Sequence, residues 1–312
     1  MKTFRLIGMA LLAVLMCANF TACSSDDDEN GDNPVKNEDG IITNQKKLME
    51  IKEVYKDDSH TDSYTYSLSY DSKGKLIAFV GKGEEGSDIT NITWAENTIK
   101  ETSDGESITY SLTDGLVRTG SETDDKNYSF AYNSSKQLTT YQYGSKYSSS
   151  TRTLSWENDR VTKIVYSDNH DDDEISEITY GNQTCKGYFP LMALMVEDDF
   201  KTMLAHPELV GMRTTQLPDQ SYNKEVEKGE HYDDYFKETF KYENISEETV
   251  KFTYKLNSDG YLESLTTVET DIETYKISFE DKNGDGVISD DERNVSRTNT
   301  YTYTTIFTFK WE

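Results

Sequence analysis

The run Asp281-Lys282-Asn283-Gly284-Asp285-Gly286-Val287-Ile288-Ser289-Asp290-Asp291-Glu292 puts oxygen donors at the first, third, fifth, ninth and twelfth positions of a twelve-residue loop. That spacing suits Ca²⁺, a hard cation that takes about seven oxygen ligands. Asp281, Asn283 and Asp285 are expected to supply side-chain oxygens, Val287 its carbonyl, Ser289 a water-bridged contact and Glu292 both carboxylate oxygens. Gly286 permits the sharp bend, and Ile288 points inward to fix the loop. A single loop of this kind binds weakly, with a Kd on the order of 10⁻⁴ to 10⁻³ M. Two other runs carry titratable groups, Asp168-Asn169-His170-Asp171-Asp172-Asp173-Glu174 and His231-Tyr232-Asp233-Asp234-Tyr235. The first lies between strand patterns, where a polar hairpin loop is expected. No Gly-x-Ser-x-Gly elbow, His-Glu-x-x-His helix or phosphate-binding glycine loop occurs.

The chain that must position these residues is acidic, with 32 basic against 58 acidic side chains in 312 residues and a net charge of -26. Such a surface repels phosphate backbones, which excludes nucleic acid as a partner. Apolar residues make up 34%, but 22 Tyr, 12 Phe and only 4 Pro separate the composition from that of a disordered chain.

Lys2 and Arg5 precede an apolar run over 6–18, too short to span a bilayer and read as an export signal. Phe20-Thr21-Ala22-Cys23 follows. It resembles the lipobox of bacterial lipoproteins, which implies that Cys23 becomes the acylated N-terminus and holds the protein in outer-membrane lipid. Ser24-Ser25-Asp26-Asp27-Asp28-Glu29 then begins a flexible, self-repelling tether. An acidic stretch in that place resembles the signal that sends lipoproteins of Bacteroidota to the outer face of the outer membrane. The expected organisation is a signal peptide over 1–22, a tether over 23–47 and one domain over 48–312. Cys185 has no intramolecular partner once Cys17 is removed and Cys23 is acylated.

Period two dominates the domain. Tyr64, Tyr66, Leu68 and Tyr70 alternate with Thr65, Ser67 and Ser69, and a turn at Asp71-Ser72-Lys73-Gly74 leads to Leu76. Tyr66, Leu68, Tyr70, Leu76 and Phe79 find Tyr128, Phe130, Tyr132, Leu138 and Tyr141 at an offset of 62, as Trp94 finds Trp156. Phe252, Tyr254, Leu256, Leu262 and Leu265 follow another 124 residues on. One unit of hairpins is therefore repeated. The predicted fold is all-β, a large antiparallel meander curling into a barrel or half-barrel, with Tyr66, Leu68, Trp94, Phe130 and Trp156 on its covered face. Strands are expected to be short and interrupted by charges such as Lys163, Glu174, Glu177 and Lys251, against an apolar outer band and hence against membrane spanning. Around 189–211 a short helical insertion is expected to plug the sheet, with Phe200, Met203 and Leu204 at helical spacing. A one-residue slip aligns Ile277-Ser278-Phe279-Glu280 with Leu154-Ser155-Trp156-Glu157, so that the calcium loop would replace a plain hairpin turn.

The hairpins resemble the tyrosine-aspartate repeats of bacterial secreted shells. Together with the lipobox and the segment from Phe189-Pro190-Leu191 to Gly211-Met212-Arg213-Thr214-Thr215-Gln216-Leu217-Pro218, they resemble an uncharacterised family of Bacteroidota surface lipoproteins with a porin-like β fold. The resemblance implies architecture and transfers no catalytic residue. The 281–292 loop resembles that of EF-hand proteins, but a strand pattern precedes it where they have a helix, which favours structural calcium. The expected function is a lipid-anchored, surface-exposed binding or structural module with a glycan or protein ligand. The alternative is an extracellular hydrolase acting on glycan or peptide through a carboxylate pair.

Overall fold

Sixteen antiparallel strands close into a barrel in up-and-down order, with β1 pairing to β16. The computed structural model describes residues 34–36, 41–57, 59–84, 86–123, 125–145, 148–157, 160–168, 174–190, 201–233, 238–279, 289 and 293–312. Cys23 and, except for the exposed Ser289, the residues expected to bind calcium lie outside the described residues, as do 169–173 and 191–200.

Twelve strands come first: β1 (Leu48–Lys56), β2 (Thr61–Tyr70), β3 (Leu76–Gly83), β4 (Gly86–Ala95), β5 (Thr98–Ser103), β6 (Glu106–Thr113), β7 (Leu116–Glu122), β8 (Asn127–Tyr132), β9 (Leu138–Gly144), β10 (Ser149–Glu157), β11 (Arg160–Ser167) and β12 (Glu174–Thr184). None exceeds 11 residues. The last four, β13 (Gln216–Asp233), β14 (Glu238–Leu256), β15 (Leu262–Phe279) and β16 (Arg293–Trp311), have 18 or 19. At about 3.3 Å per residue the long strands run about 60 Å, roughly twice the short ones. The expectation of short strands throughout therefore fails for the last four strands. Between Leu262 and Phe279 no Gly, Pro or Asn interrupts the chain, and between Lys224 and Tyr232 a lone Gly229 does not stop pairing.

Side-chain alternation sorts the faces. Ile51, Tyr66, Leu68, Leu76, Phe79, Ile99, Phe130, Leu138, Val161, Leu265 and Phe307 are buried in one continuous core. That core includes Met203, Leu204, Leu209, Val210 and Met212 from the segment between β12 and β13, so the apolar face points inward onto a plug. The outward positions of β16 are Ser296, Thr298, Thr300, Thr302, Thr304, Ile306, Thr308 and Lys310; those of β14 include Lys241, Glu243, Glu247, Lys251 and Lys255. This polarity is the reverse of a membrane barrel, whose outer band is apolar and where each exposed Lys at midplane costs about 2–4 kcal/mol.

The plug contains α1 (Lys201–Ala205) and a 3₁₀ turn at Pro207–Val210. Glu101 on β5 accepts the Thr202 amide at 2.7 Å and the Lys201 amide at 3.3 Å, supplying the backbone donors of the first helical turn with a carboxylate. His206 sits edge-on to the Tyr70 and Trp94 rings, and its Nε2 accepts the Leu76 amide at 3.1 Å. Gly211 closes the turn with φ of +60°, and a Cβ there would overlap the Lys136 carbonyl oxygen. Ile41 and Ile42, within the segment read as tether, are buried as well, so ordered packing begins ahead of β1.

The repeat is visible in hydrogen bonds. Asp71 Oδ1 accepts the Lys73 and Lys75 amides, Asn133 Oδ1 those of Ser135 and Gln137, and Asn257 Oδ1 those of Asp259 and Tyr261, all at 2.8–3.0 Å. Trp94 Nε1 donates to the Leu76 carbonyl at 2.8 Å and Trp156 Nε1 to that of Leu138 at 2.6 Å, as their shared offset predicts. Trp311 Nε1 does the same to Leu262 at 2.7 Å. Trp311 on β16, and not Phe279 on β15, is therefore the third equivalent. The predicted alignment of 277–280 with 154–157 is corrected, because β15, with 18 residues against 8 in β3 and 7 in β9, has outgrown the repeat and carries Phe279 to the far end of its hairpin with β16.

Candidate functional site

The turns at 71–75, 133–137 and 257–261 share one end of the barrel with the plug: the Leu76 amide meets His206, Lys136 meets Gly211, and Lys186 bridges to Tyr261. Among the described residues the other end is open and uneven, since β1 stops pairing at Lys56 opposite Thr304, and β12 begins at Glu174. From that level the four long strands continue alone. Their inward residues change character there: β15 reads Leu265, Thr267, Glu269, Asp271 and Glu273 in steps of two.

Register places a polar row straight across this level. Ser176 on β12 faces Asn223 on β13, Asn223 faces Glu248 on β14, Glu248 faces Asp271 on β15, and Asp271 faces Tyr301 on β16. One step toward the plug, Val250, Glu269 and Tyr303 are opposite one another. Glu248, Glu269 and Asp271 each bring a carboxylate oxygen to within 4.8 Å of the other two. Glu269 is 5% exposed, and its Oε2 has no hydrogen-bond partner; neither do Asp271 Oδ1, Asn223 Oδ1 and Ser176 Oγ. Asn223 Nδ2 donates to Glu174 Oε1 at 2.7 Å, leaving its own carbonyl oxygen free. Tyr303 stacks on Tyr55 of β1 at a centroid distance of 5.9 Å and closes one side of the group.

Burial, then the negative charges of Glu269, Asp271 and Glu174, push the Glu248 carboxyl up to about 9. Burial and the neighbouring Asp271 push Glu269 to about 8. Asp271 and Glu174 are raised too, both chiefly by burial. Three carboxyl groups crowded in this way either share protons or hold a cation. Burial raises all three, and within the Glu269–Asp271 pair the contact raises Glu269 and lowers Asp271, so Glu269 keeps the proton of the pair.

A second buried charge group lies in the plug and is structural. Glu208, between His206 Nδ1 at 3.4 Å and Arg213 Nη1 at 3.4 Å, is held down to about 2; burial opposes this, and the His206 hydrogen bond and the Arg213 guanidinium outweigh it. Arg213 also donates to Gln45 and to the Gly187 carbonyl and lies 4.9 Å over the Tyr188 ring, tying the N-terminal segment to the plug.

The sequence-predicted and the observed groups do not coincide. Of the calcium ligands only Ser289 is described, and Phe279 paired with Arg293 shows that the loop springs from the far tip of the β15–β16 hairpin. His231 and Tyr232 are exposed near the end of β13, away from the carboxylate group. Sequence reasoning missed Glu248, Glu269 and Asp271. The signal was there for two of them: acids two apart in a strand share a face, and Glu269 and Asp271 continue the parity of Leu265.

No protein family's sequence pattern matches this chain, and no curated protein does either. Among solved structures, a porin-like protein from Bacteroides uniformis ATCC 8492 superimposes with a TM-score of 0.54 at 18% identity, over 86% of this chain and 96% of that one. OmpT, an outer membrane protein of Vibrio cholerae, aligns over 85% of this chain and 96% of its own with 7% identity and a TM-score of 0.24, too loose to bear on the architecture. The chain thus shares the porin-like barrel fold.

Proposed function

We propose that the protein is a lipid-anchored module of the bacterial cell envelope, displayed on the outer membrane, which binds or scaffolds through a plugged barrel that stays outside the bilayer. The observation that carries this reading is the barrel's polarity. From β1 to β12 its inner face is mostly apolar and packed on the plug, while the outer faces of β14 and β16 bear mainly Thr, Lys and Glu. Such a wall gives neither an apolar belt for lipid nor a water-filled lumen for solutes. Attachment then falls to acylated Cys23, with the tether spacing the barrel from the membrane and calcium at 281–292 fixing the tip of the longest hairpin.

Labelling with an acyl analogue tests the anchor. The wild-type protein takes the label and stays with membranes, whereas Cys23→Ala takes none and is recovered folded in the soluble fraction. A Cys23→Ala protein that remains in the membrane fraction after a high-salt wash refutes the reading. The hydrolase alternative has one observation in its favour, the convergence of buried carboxyl groups near the open end. The acceptors left without donors there, Glu269 Oε2 and Asp271 Oδ1, favour binding a cation. Trp94, Trp156 and Trp311 are committed to hydrogen bonds within the wall, so a glycan platform would fall to exposed tyrosines such as Tyr232, Tyr275 and Tyr301.

A further inference from the structure

We propose that Glu248, Glu269 and Asp271, on the inner face where the short wall ends, form a divalent-cation site suited to Ca²⁺ and separate from the 281–292 loop. Two observations converge on it. One is geometric: three carboxylate oxygens from two adjacent strands lie within 4.8 Å of one another. Oxygens on opposite sides of Ca²⁺ are about 4.6–5.2 Å apart, so three oxygens held within that span of one another can all reach a single such ion. The other is a set of orphaned acceptors. Glu269 is 5% exposed with Oε2 unpaired, and Asp271 Oδ1 beside it is buried and unpaired. A buried acceptor without a donor is costly, and more so when charged, so a cation between the members of the group satisfies what protons alone leave unpaired.

The surroundings specify the ligand further. Asn223 Oδ1, next to Glu248 in the same row, is a free neutral oxygen of the kind Ca²⁺ takes alongside carboxylates. No sulfur or imidazole belongs to the cluster, which disfavours zinc and copper. Three carboxylates carry more negative charge than one divalent ion neutralises, and Glu248 and Asp271 are only partly covered, so water completes the sphere from the open side. The ion would brace β14 against β15 at the height where the long strands lose the support of their short neighbours.

The test uses the full mature protein carrying Glu292→Gln, which disables the loop and leaves the inner site. Calorimetry and Tb³⁺ luminescence excited through tyrosine should report one bound ion, displaced by Ca²⁺, because Tyr303 and Tyr301 flank the group. Adding Glu248→Gln, Glu269→Gln or Asp271→Asn should weaken binding roughly tenfold or more and remove the Ca²⁺-dependent rise in Tm. Glu263→Gln, which breaks an exterior pair with Lys255 at the plugged end, should leave binding unchanged. These carboxyl-to-amide changes keep shape, and melts in chelator identify any variant that fails to fold. The Tb³⁺ signal of the Glu292→Gln protein needs none of them. Absence of binding by that protein to Ca²⁺, Mg²⁺ or Tb³⁺ overturns the proposal, and so does binding that survives all three amide substitutions. Because Cys23 is untouched, failure here leaves the lipid-anchor reading standing.

Discussion

The short-stranded part of the barrel and the four-stranded wall that outgrows it differ in what their inner faces are for. From β1 to β12 the inward residues are mostly Leu, Ile, Tyr, Phe and Trp packed on a plug, and the buried acids have partners: Glu101 receives helix amides and Glu53 the Tyr66 hydroxyl at 3.3 Å. On β14 and β15 the same parity runs from Phe252 and Leu265 into Glu248, Glu269 and Asp271, whose nearest neighbours are one another. Both regions use the same ladder of backbone hydrogen bonds. The first turns its inner face onto the plug and the second gathers acids on it, which teaches that in this fold closure supplies stability and the extension supplies chemistry.

Substitutions at the plug should break the contrast hardest. Gly211→Val forces a β-branched residue into a left-handed conformation and against the Lys136 carbonyl, and a loss of about 3 kcal/mol or more is expected. Urea or thermal unfolding reads it directly. Truncating Trp156 to Ala removes a packed indole and its bond to Leu138, with an expected cost of about 3–5 kcal/mol, whereas Tyr301→Ala on the wall, 41% exposed, should stay within about 0.5 kcal/mol. Equal losses at the two sites would erase the distinction between regions.

A pH series in chelator sharpens it. Glu248 and Glu269 titrate near 9 and 8 in the fold against an ordinary value of 4.5, so the folded state keeps protons that the unfolded chain has released. Their contribution is intact below about pH 4.5 and is lost as pH rises toward 9. Tm without metal should therefore fall across that interval, and Glu248→Gln should flatten the slope. Glu208 works in the opposite sense: held at about 2, it stabilises the plug above pH 4.5, and that support fades as pH drops toward 2. A Tm that rises from neutral to alkaline pH in chelator would contradict the crowding of the wall carboxyls. The smallest effect is expected at Lys136, which occupies with φ of +63° the turn position that Gly74 and Gly260 hold elsewhere. Lys136→Gly should add up to about 1 kcal/mol, since a left-handed conformation penalises a Cβ by roughly that amount.

Residue types and their spacing were sufficient for much of this. The offset of 62 that relates Trp94 to Trp156 reappears as one hydrogen bond made twice, because a repeated alternation with repeated Asx turns has a single way to pair with itself. The acidic loop at 281–292 is legible as a calcium ligand set because its donors are contiguous in the chain. Glu248, Glu269 and Asp271 are not contiguous, and their meeting depends on the register of β14 against β15. Local sequence also left open whether the meander closes. Barrel closure requires β1 to find β16 from the other end of the chain, Leu48 opposite Trp311, a pairing that no short-range pattern encodes. The inner carboxylates, the height of the wall and the plugged floor were decided at that level. Burial, register and closure are properties of strands brought together, whereas alternation, turn chemistry and ligand spacing are written into each strand and loop alone.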